Sequence, residues 1–171
     1  MSKNTMPEEF DEQPAGTEYL TQEQILMSES ELLRGLIEAG TEKDSEIFYE
    51  RIQIRRGGKL KFEFRIRPIS EEESLACHDH ATKFAPRKRG QPKREIETNM
   101  AKFRSWLIYM STVDEDRAKL WDNKQAQQTF NVLQGVDLID CVLLSGEKDR
   151  IIDRINEISG YSEEMDEIAK N

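Results

Sequence analysis

The sequence predicts an α+β protein that is mostly α: one β-hairpin at about residues 47–67 packed with a bundle of short helices, behind a flexible acidic N-terminal arm. Three observations predict it. Leu60, Phe62, Phe64 and Ile66 alternate strictly with Lys59, Lys61, Glu63, Arg65 and Arg67, which is the period of a half-buried strand. Pro68 ends that run, and Ser70-Glu71-Glu72-Glu73 directly after it has the Ser-x-x-Glu form of a helix capping box. From there to the end of the chain, apolar residues recur mostly at helical spacing.

Residues 1–19, with Pro7, Pro14, Gly16 and several acids but no apolar periodicity, read as a disordered arm, and residues 20–171 as a single domain. A helix begins after the arm. Thr21 with Gln24 makes one capping box, with a Leu20 to Ile25 staple, and Ser28 with Glu31 makes a second. Either one helix or two short ones therefore run to Ala39, where Gly40 stops them. Leu32, Leu33, Leu36 and Ile37 mark the apolar stripe.

In the hairpin, Phe48, Ile52 and Ile54 form the apolar face of the first strand and must share a side with Leu60, Phe62 and Phe64. A two-residue Gly57-Gly58 turn sets Ile54 opposite Lys61 and splits those faces. A three-residue loop, Arg56-Gly57-Gly58, pairs Ile54 with Leu60 and Ile52 with Phe62, sets Arg51 opposite Glu63 and gives Gly58 a left-handed position. The longer loop is the expectation.

After the capping box, Leu75, Ala76, Ala81 and Phe84 suggest a helix over 71–84. Residues 85–96 read as an exposed basic loop, because Ala85 to Arg94 holds Pro86, Gly90, Pro92 and five basic residues. Thr98 or Asn99 caps the next helix, in which Met100, Phe103, Leu107 and Met110 recur at helical spacing with Trp106 on the margin. Short helical pieces follow at 115–122, 124–131 and 136–144. A last helix runs from about Glu147 to Ser159, with Ile151, Ile152, Ile155 and Ile158 inward and Gly160 as its C′ residue. The acidic tail from Ser162 reads as partly helical, and no internal repeat is visible.

The chain has 171 residues, 36% hydrophobic and 35% charged, and a formal net charge of −9. Its charge is uneven: residues 51–104 hold 15 Lys and Arg against 7 Asp and Glu, and the remainder 10 against 27. A basic middle between acidic ends suits intramolecular or head-to-tail electrostatics, whereas acidic ends would repel nucleic-acid phosphate. No apolar run reaches the ~20 residues a bilayer span needs, and Met1-Ser2-Lys3-Asn4 followed by acids has no signal-peptide core, so a soluble intracellular protein is expected. Cys77 and Cys141 read as reduced core thiols.

Cys77-His78-Asp79-His80 is the one metal-like cluster, but the whole chain has two Cys and two His, short of a structural zinc set, so no metal and no cofactor are expected. The phosphate-loop, dinucleotide-binding, nucleophile-elbow and His-Glu-x-x-His motifs are absent from the sequence. Asp114 with Asp116 and Asp137 with Asp140 are common on solvated helix faces and need a cleft before they mean acid–base work. Arg87, Lys88, Arg89, Lys93 and Arg94 leave three readings open: a solvated loop, a handle for an acidic protein partner, or a phosphate grip.

The order of parts is informative too. Phe64-Arg65-Ile66-Arg67-Pro68-Ile69-Ser70-Glu71-Glu72-Glu73 closes a hairpin, a polar helix and a basic loop follow, and Leu143-Leu144-Ser145-Gly146-Glu147 precedes a helix ending in Ile158-Ser159-Gly160-Tyr161, with Glu167-Ile168-Ala169-Lys170-Asn171 last. From Ile47 to Asn171 this arrangement resembles the XkdN-like phage tail assembly chaperones. The resemblance implies a non-enzymatic factor, made in the host cytoplasm and absent from the finished particle, that binds the long apolar tape measure protein and recruits tail tube protein. It also implies a longer frameshifted product, with which the adenine-rich codons of Lys170 and Asn171 are compatible. Self-association stays open, as do two rival readings: a nucleic-acid-binding or regulatory module acting through 87–94, and a minor structural component of the tail. Candidate partner-binding residues are the basic set above together with Leu32, Leu36, Ile37, Val142 and Leu143.

Overall fold

The computed structural model describes residues 22–43, 45–86 and 89–161. The acidic arm, the Thr21 cap, the C-terminal tail and the basic pair Arg87 and Lys88 lie outside them. By compactness the chain divides after residue 44, into units 1–44 and 45–171.

In the first unit, α1 spans Gln22–Glu42 as one helix. Ser28 sits inside it, so the second capping box does not act as a cap. Gly40 does not stop it either: the helix runs two residues further, and Lys43 N–H still donates to the Ala39 carbonyl at 3.2 Å. Glycine weakens a helix interior by about 1 kcal/mol, which one residue near the end of a long helix tolerates.

The second unit opens with a single 3-10 turn, Glu46–Phe48, followed by the antiparallel strands β1 (Glu50–Arg56) and β2 (Lys59–Ile66). Phe48 therefore belongs to the turn and not to the strand face. The hairpin register differs from the expected one. Gly57 and Gly58 form a two-residue turn, both with positive φ of 58° and 75°, the left-handed pair that matches the twist of a hairpin. The parity conflict that a two-residue turn creates is solved inside the strand. A β-bulge after Ile54 lets the register pair Ile54 with Phe62 and Ile52 with Phe64, while Arg55 faces Leu60. Arg51 then stands opposite Arg65, and it reaches Glu63 diagonally at 3.0 Å, with Gln53 donating to the same carboxylate at 3.0 Å.

The capping box forms as expected. Ser70 Oγ accepts from Glu73 N–H at 3.2 Å, and the Glu73 carboxylate accepts from Ser70 N–H at 3.0 Å, which starts α2 (Glu71–Ala81). That helix stops at Ala81, short of the expected 84. Thr82–Phe84 becomes β3 and pairs with β4, Glu95–Thr98, as a second two-stranded ribbon. The basic loop is thus the connection of a ribbon, and its last two residues lie in β4.

Asn99 caps α3 (Met100–Ser111), its side chain accepting from Lys102 N–H at 3.0 Å. Four further helices follow: α4 (Asp114–Lys119), α5 (Lys124–Thr129), α6 (Gly135–Val142) and α7 (Ser145–Ile158). Gly160, with φ of 90°, takes the expected left-handed place beyond α7. The α3 face turned inward carries Ser105, Leu107, Ile108 and Ser111, so Met100 is exposed and Phe103 and Met110 are only half-buried.

The core joins the hairpin face, Ile52, Ile54, Phe64 and Ile66, to Ile108 of α3, Trp121, Leu138 and Ile139 of α6, Leu143, and Ile151 and Ile155 of α7. Trp121 stands edge-on to Phe62 and Phe64, with ring centroids 5.9 and 5.5 Å apart. Such aromatic contacts add ~1 kcal/mol beyond the area they bury.

Candidate interaction surfaces

The charged residues explain much of how the second unit closes. Arg56, at the hairpin tip, donates to both carboxylate oxygens of Glu147, at 2.9 and 2.6 Å, and to the Val142 carbonyl at 2.7 Å. Glu147 also accepts from Leu144 N–H at 2.8 Å, so one buried carboxylate ties the hairpin to the start of α7. Arg65 donates to Asp116 from its main chain at 2.8 Å and from its guanidinium at 3.0 Å. Lys102 reaches Asp137 and Asp140, and Arg104 reaches Asp149. Four residues of the basic middle, Arg56, Arg65, Lys102 and Arg104, are thus answered by acids further along the chain.

Asp140 is the centre of a polar knot. Its carboxylate accepts from Lys148 and from Ser105, each at 2.5 Å, and from Lys102 at 3.0 Å. Burial pushes its pKa up, but those hydrogen bonds outweigh burial and hold it below the usual carboxylate range. Lys148 itself is buried. Asp137 and Asp140 thus act as anchors for lysines, and Asp116 as an anchor for Arg65; neither acid pair stands free in a cleft.

Cys77 is buried, which pushes its thiol up to about 12. Cys141 is exposed, contrary to the expectation of a second core thiol, because α6 turns Leu138 and Ile139 inward and leaves Cys141 outside. His80 stacks on Trp106 at 4.2 Å between ring centroids, and His78 meets Phe103 edge-on at 6.0 Å. Among the described residues no group of three or more His, Cys, Asp or Glu could hold a metal ion.

The candidate partner residues separate into three groups. Leu32, Leu36 and Ile37 are 72%, 69% and 59% exposed on α1, and Leu33 beside them is exposed as well. Leu143 is only 5% exposed and belongs to the core, with Val142 half-buried against it. In the basic connection, Arg89 and Arg94 are exposed, while Lys93 donates to Asp79 at 3.0 Å and lies over the Phe84 ring at 3.6 Å. The aromatic that could have served as a stacking platform is therefore already covered.

Sequence reasoning missed one surface, a cleft of about 330 Å³ between β1 and α7, lined by residues 51–55 and by Glu147, Arg150, Ile151 and Arg154. The alternation in β1 shows which side chains are exposed, but only the packing of α7 shows that its arginines stand beside those of the strand.

Fold and surface together define a small, mostly helical protein built on a hairpin, in which ion pairs tie the hairpin and the helices together. Over residues 26–171 the chain matches the family model of the phage XkdN-like tail assembly chaperone proteins, and it belongs to that family. Its role is accordingly in phage tail assembly. No curated protein matches the chain. Among solved structures it is similar to the crystal structure of the protein yqbn, with 15% identity, a TM-score of 0.43, and coverage of 67% of this chain and 87% of that one.

Proposed function

We propose that the protein is a non-catalytic assembly chaperone that binds the tape measure protein in the host cytoplasm, keeps it soluble until tail tube protein is recruited, and is left out of the mature particle. Family membership supports the setting. The observation that carries the reading further is the row Leu32, Leu33, Leu36 and Ile37, exposed along one face of α1. Spacings of three and four place these side chains together on the helix surface. An exposed apolar stripe of this kind suits a helical, apolar partner, which needs cover until the tube closes around it. Among the described residues no helix is long and apolar enough to cross a membrane.

Co-expression with the tape measure protein of the same phage tests it. Wild type should convert an insoluble tape measure into a soluble complex, and a Leu32→Asp, Leu36→Asp variant should lose the complex while its own melting temperature is unchanged. A tape measure that stays insoluble beside the wild-type chain would sink the proposal. Mass spectrometry of purified particles should find no copies of the chain. The longer frameshifted product is tested on the gene, which should carry a slippery heptamer near the Lys170 codon and an overlapping downstream frame.

A further inference from the structure

The hairpin edges differ between the end of β2, at residues 65–67, and β1, at residues 51–55. On the outer edge of β2, Arg65 N–H is taken by Asp116 at 2.8 Å, the Arg65 carbonyl accepts from Val113 N–H at 3.0 Å, and Arg67 N–H donates to the Ser111 carbonyl at 2.8 Å. Ile66 also forms a bridge with Thr112. That edge is closed over residues 65–67. On β1, among the described residues, residues 51–55 make no main-chain hydrogen bond other than those to β2. An open strand edge is a template for another extended chain.

The cleft lies along this open edge. Residues 51–55 line it without a gap, both the exposed Arg51, Gln53 and Arg55 and the buried Ile52 and Ile54, so an occupant meets the strand's main chain as well as its side chains. The far wall is one face of α7, where Arg150 and Arg154 are spaced by one turn. Four arginines surround the space. Arg51 and Arg154 are paired, with Glu63 at 3.0 Å and Glu50 at 2.8 Å. Among the described residues Arg55 donates only to the amide oxygen of Gln53, at 3.0 and 3.1 Å, and Arg150 makes no hydrogen bond or ion pair, though its charge helps to hold the Glu147 carboxyl low. Glu147, the acid in the wall, is held by Arg56. The cleft therefore carries one cation, Arg55, that no carboxylate answers, and a second, Arg150, that makes no ion pair and only shares the charge of Glu147 with Arg56.

We propose that the β1 edge and this cleft dock an extended acidic segment of a partner protein, which adds to the hairpin as a third strand with its carboxylates against Arg55 and Arg150. A second copy of this chain fits poorly. Antiparallel pairing of two β1 strands about Gln53 sets Arg51 of each copy against Arg55 of the other, and like charges directly opposite destabilise a sheet. The inference goes beyond the tape measure reading and stands or falls separately, because it concerns a different unit and a different chemistry.

The test uses the full chain, labelled with nitrogen-15, and three synthetic octapeptides: alternating Val-Glu, alternating Val-Lys, and the Val-Glu peptide with every second amide methylated. The Val-Glu peptide should shift the amide resonances of residues 51–55 and of α7 around Arg150, the Val-Lys peptide should not, and methylation should abolish the shifts by removing the strand hydrogen bonds. An Arg55→Glu, Arg150→Glu variant should weaken binding at least about tenfold. The milder Arg55→Gln, Arg150→Gln variant should also weaken it, at an unchanged melting temperature. Arginines on an edge can serve only to discourage aggregation. In that case the peptides bind no better than one another, or not at all at millimolar concentration, and the proposal is overturned. Equal binding of the methylated peptide would overturn it as well.

Discussion

Trp121 donates its indole N–H to Thr112 Oγ1 at 3.0 Å, and both side chains are buried. Thr112 Oγ1 in turn donates to the Ile108 carbonyl at 2.7 Å. The hydroxyl thus links the end of α3 to the aromatic centre of the core. Replacing it by a methyl of the same shape leaves the indole N–H buried without an acceptor. Thr112→Val should cost about 1–3 kcal/mol, the usual penalty for an orphaned buried donor. Urea unfolding followed by tryptophan fluorescence measures it, and a variant as stable as wild type would contradict the assignment.

A second test concerns close approach. A Cβ added at Gly135 would come within 2.7 Å of Tyr109 Cε2 and of Asp122 Oδ1, and 2.9 Å of the Trp121 carbonyl. Tyr109 O–H donates to that same Asp122 carboxylate at 2.9 Å, so neither side chain can yield freely. Gly135→Ala should therefore destabilise by about 1–3 kcal/mol, the range for overpacking, despite alanine's better helix propensity. Thermal melts of the two proteins decide it.

Acid should weaken the fold in a defined window. Hydrogen bonds from Arg67 to Glu73, from Arg65 to Asp116 and from Arg56 to Glu147 hold these carboxyls below their ordinary values of 4.5 for Glu and 3.8 for Asp. A carboxylate whose folded pKa is depressed contributes stability above its unfolded pKa and loses it as the pH falls through the folded one. Stability should therefore be flat from neutrality to about pH 5 and fall steadily below about pH 4. Urea midpoints measured across that range should show the slope, and Glu147→Gln should make it shallower.

The two cysteines should react at very different rates. Cys77 is enclosed and its thiol is pushed up to about 12, while Cys141 lies on the surface of α6. A thiol-reactive chromophore added to the native protein at neutral pH should titrate one group rapidly, and unfolding in denaturant should release the second. Cys141→Ser should abolish the fast phase. Two fast groups in the native state would show that Cys77 is not enclosed.

The sequence by itself determined the elements whose signal is local. The period-2 run from Lys59 to Ile66 is a strand, Ser70 and Glu73 cap a helix, Asn99 caps another, and Gly160 follows the last one. Each depends on backbone geometry within a few residues, which side-chain chemistry at those residues sets. Tertiary structure decided what local rules leave degenerate. A parity conflict between two strand faces can be relieved by a longer loop or by a bulge, and the finished sheet, packed against Trp121, has the bulge after Ile54. Thr82–Phe84 and Glu95–Thr98 are too short to announce themselves as strands, and each needs the other to form. Leu143 and Cys141 sit two residues apart in similar surroundings, yet the fold buries one and exposes the other. The surface followed the same rule: the stripe on α1 was legible from its helical spacing, whereas the arginine-lined cleft came from the meeting of β1 with a helix some 90 residues later. Side chains brought together across such distances share a site only because the core between them closes, and no window of sequence contains that closure.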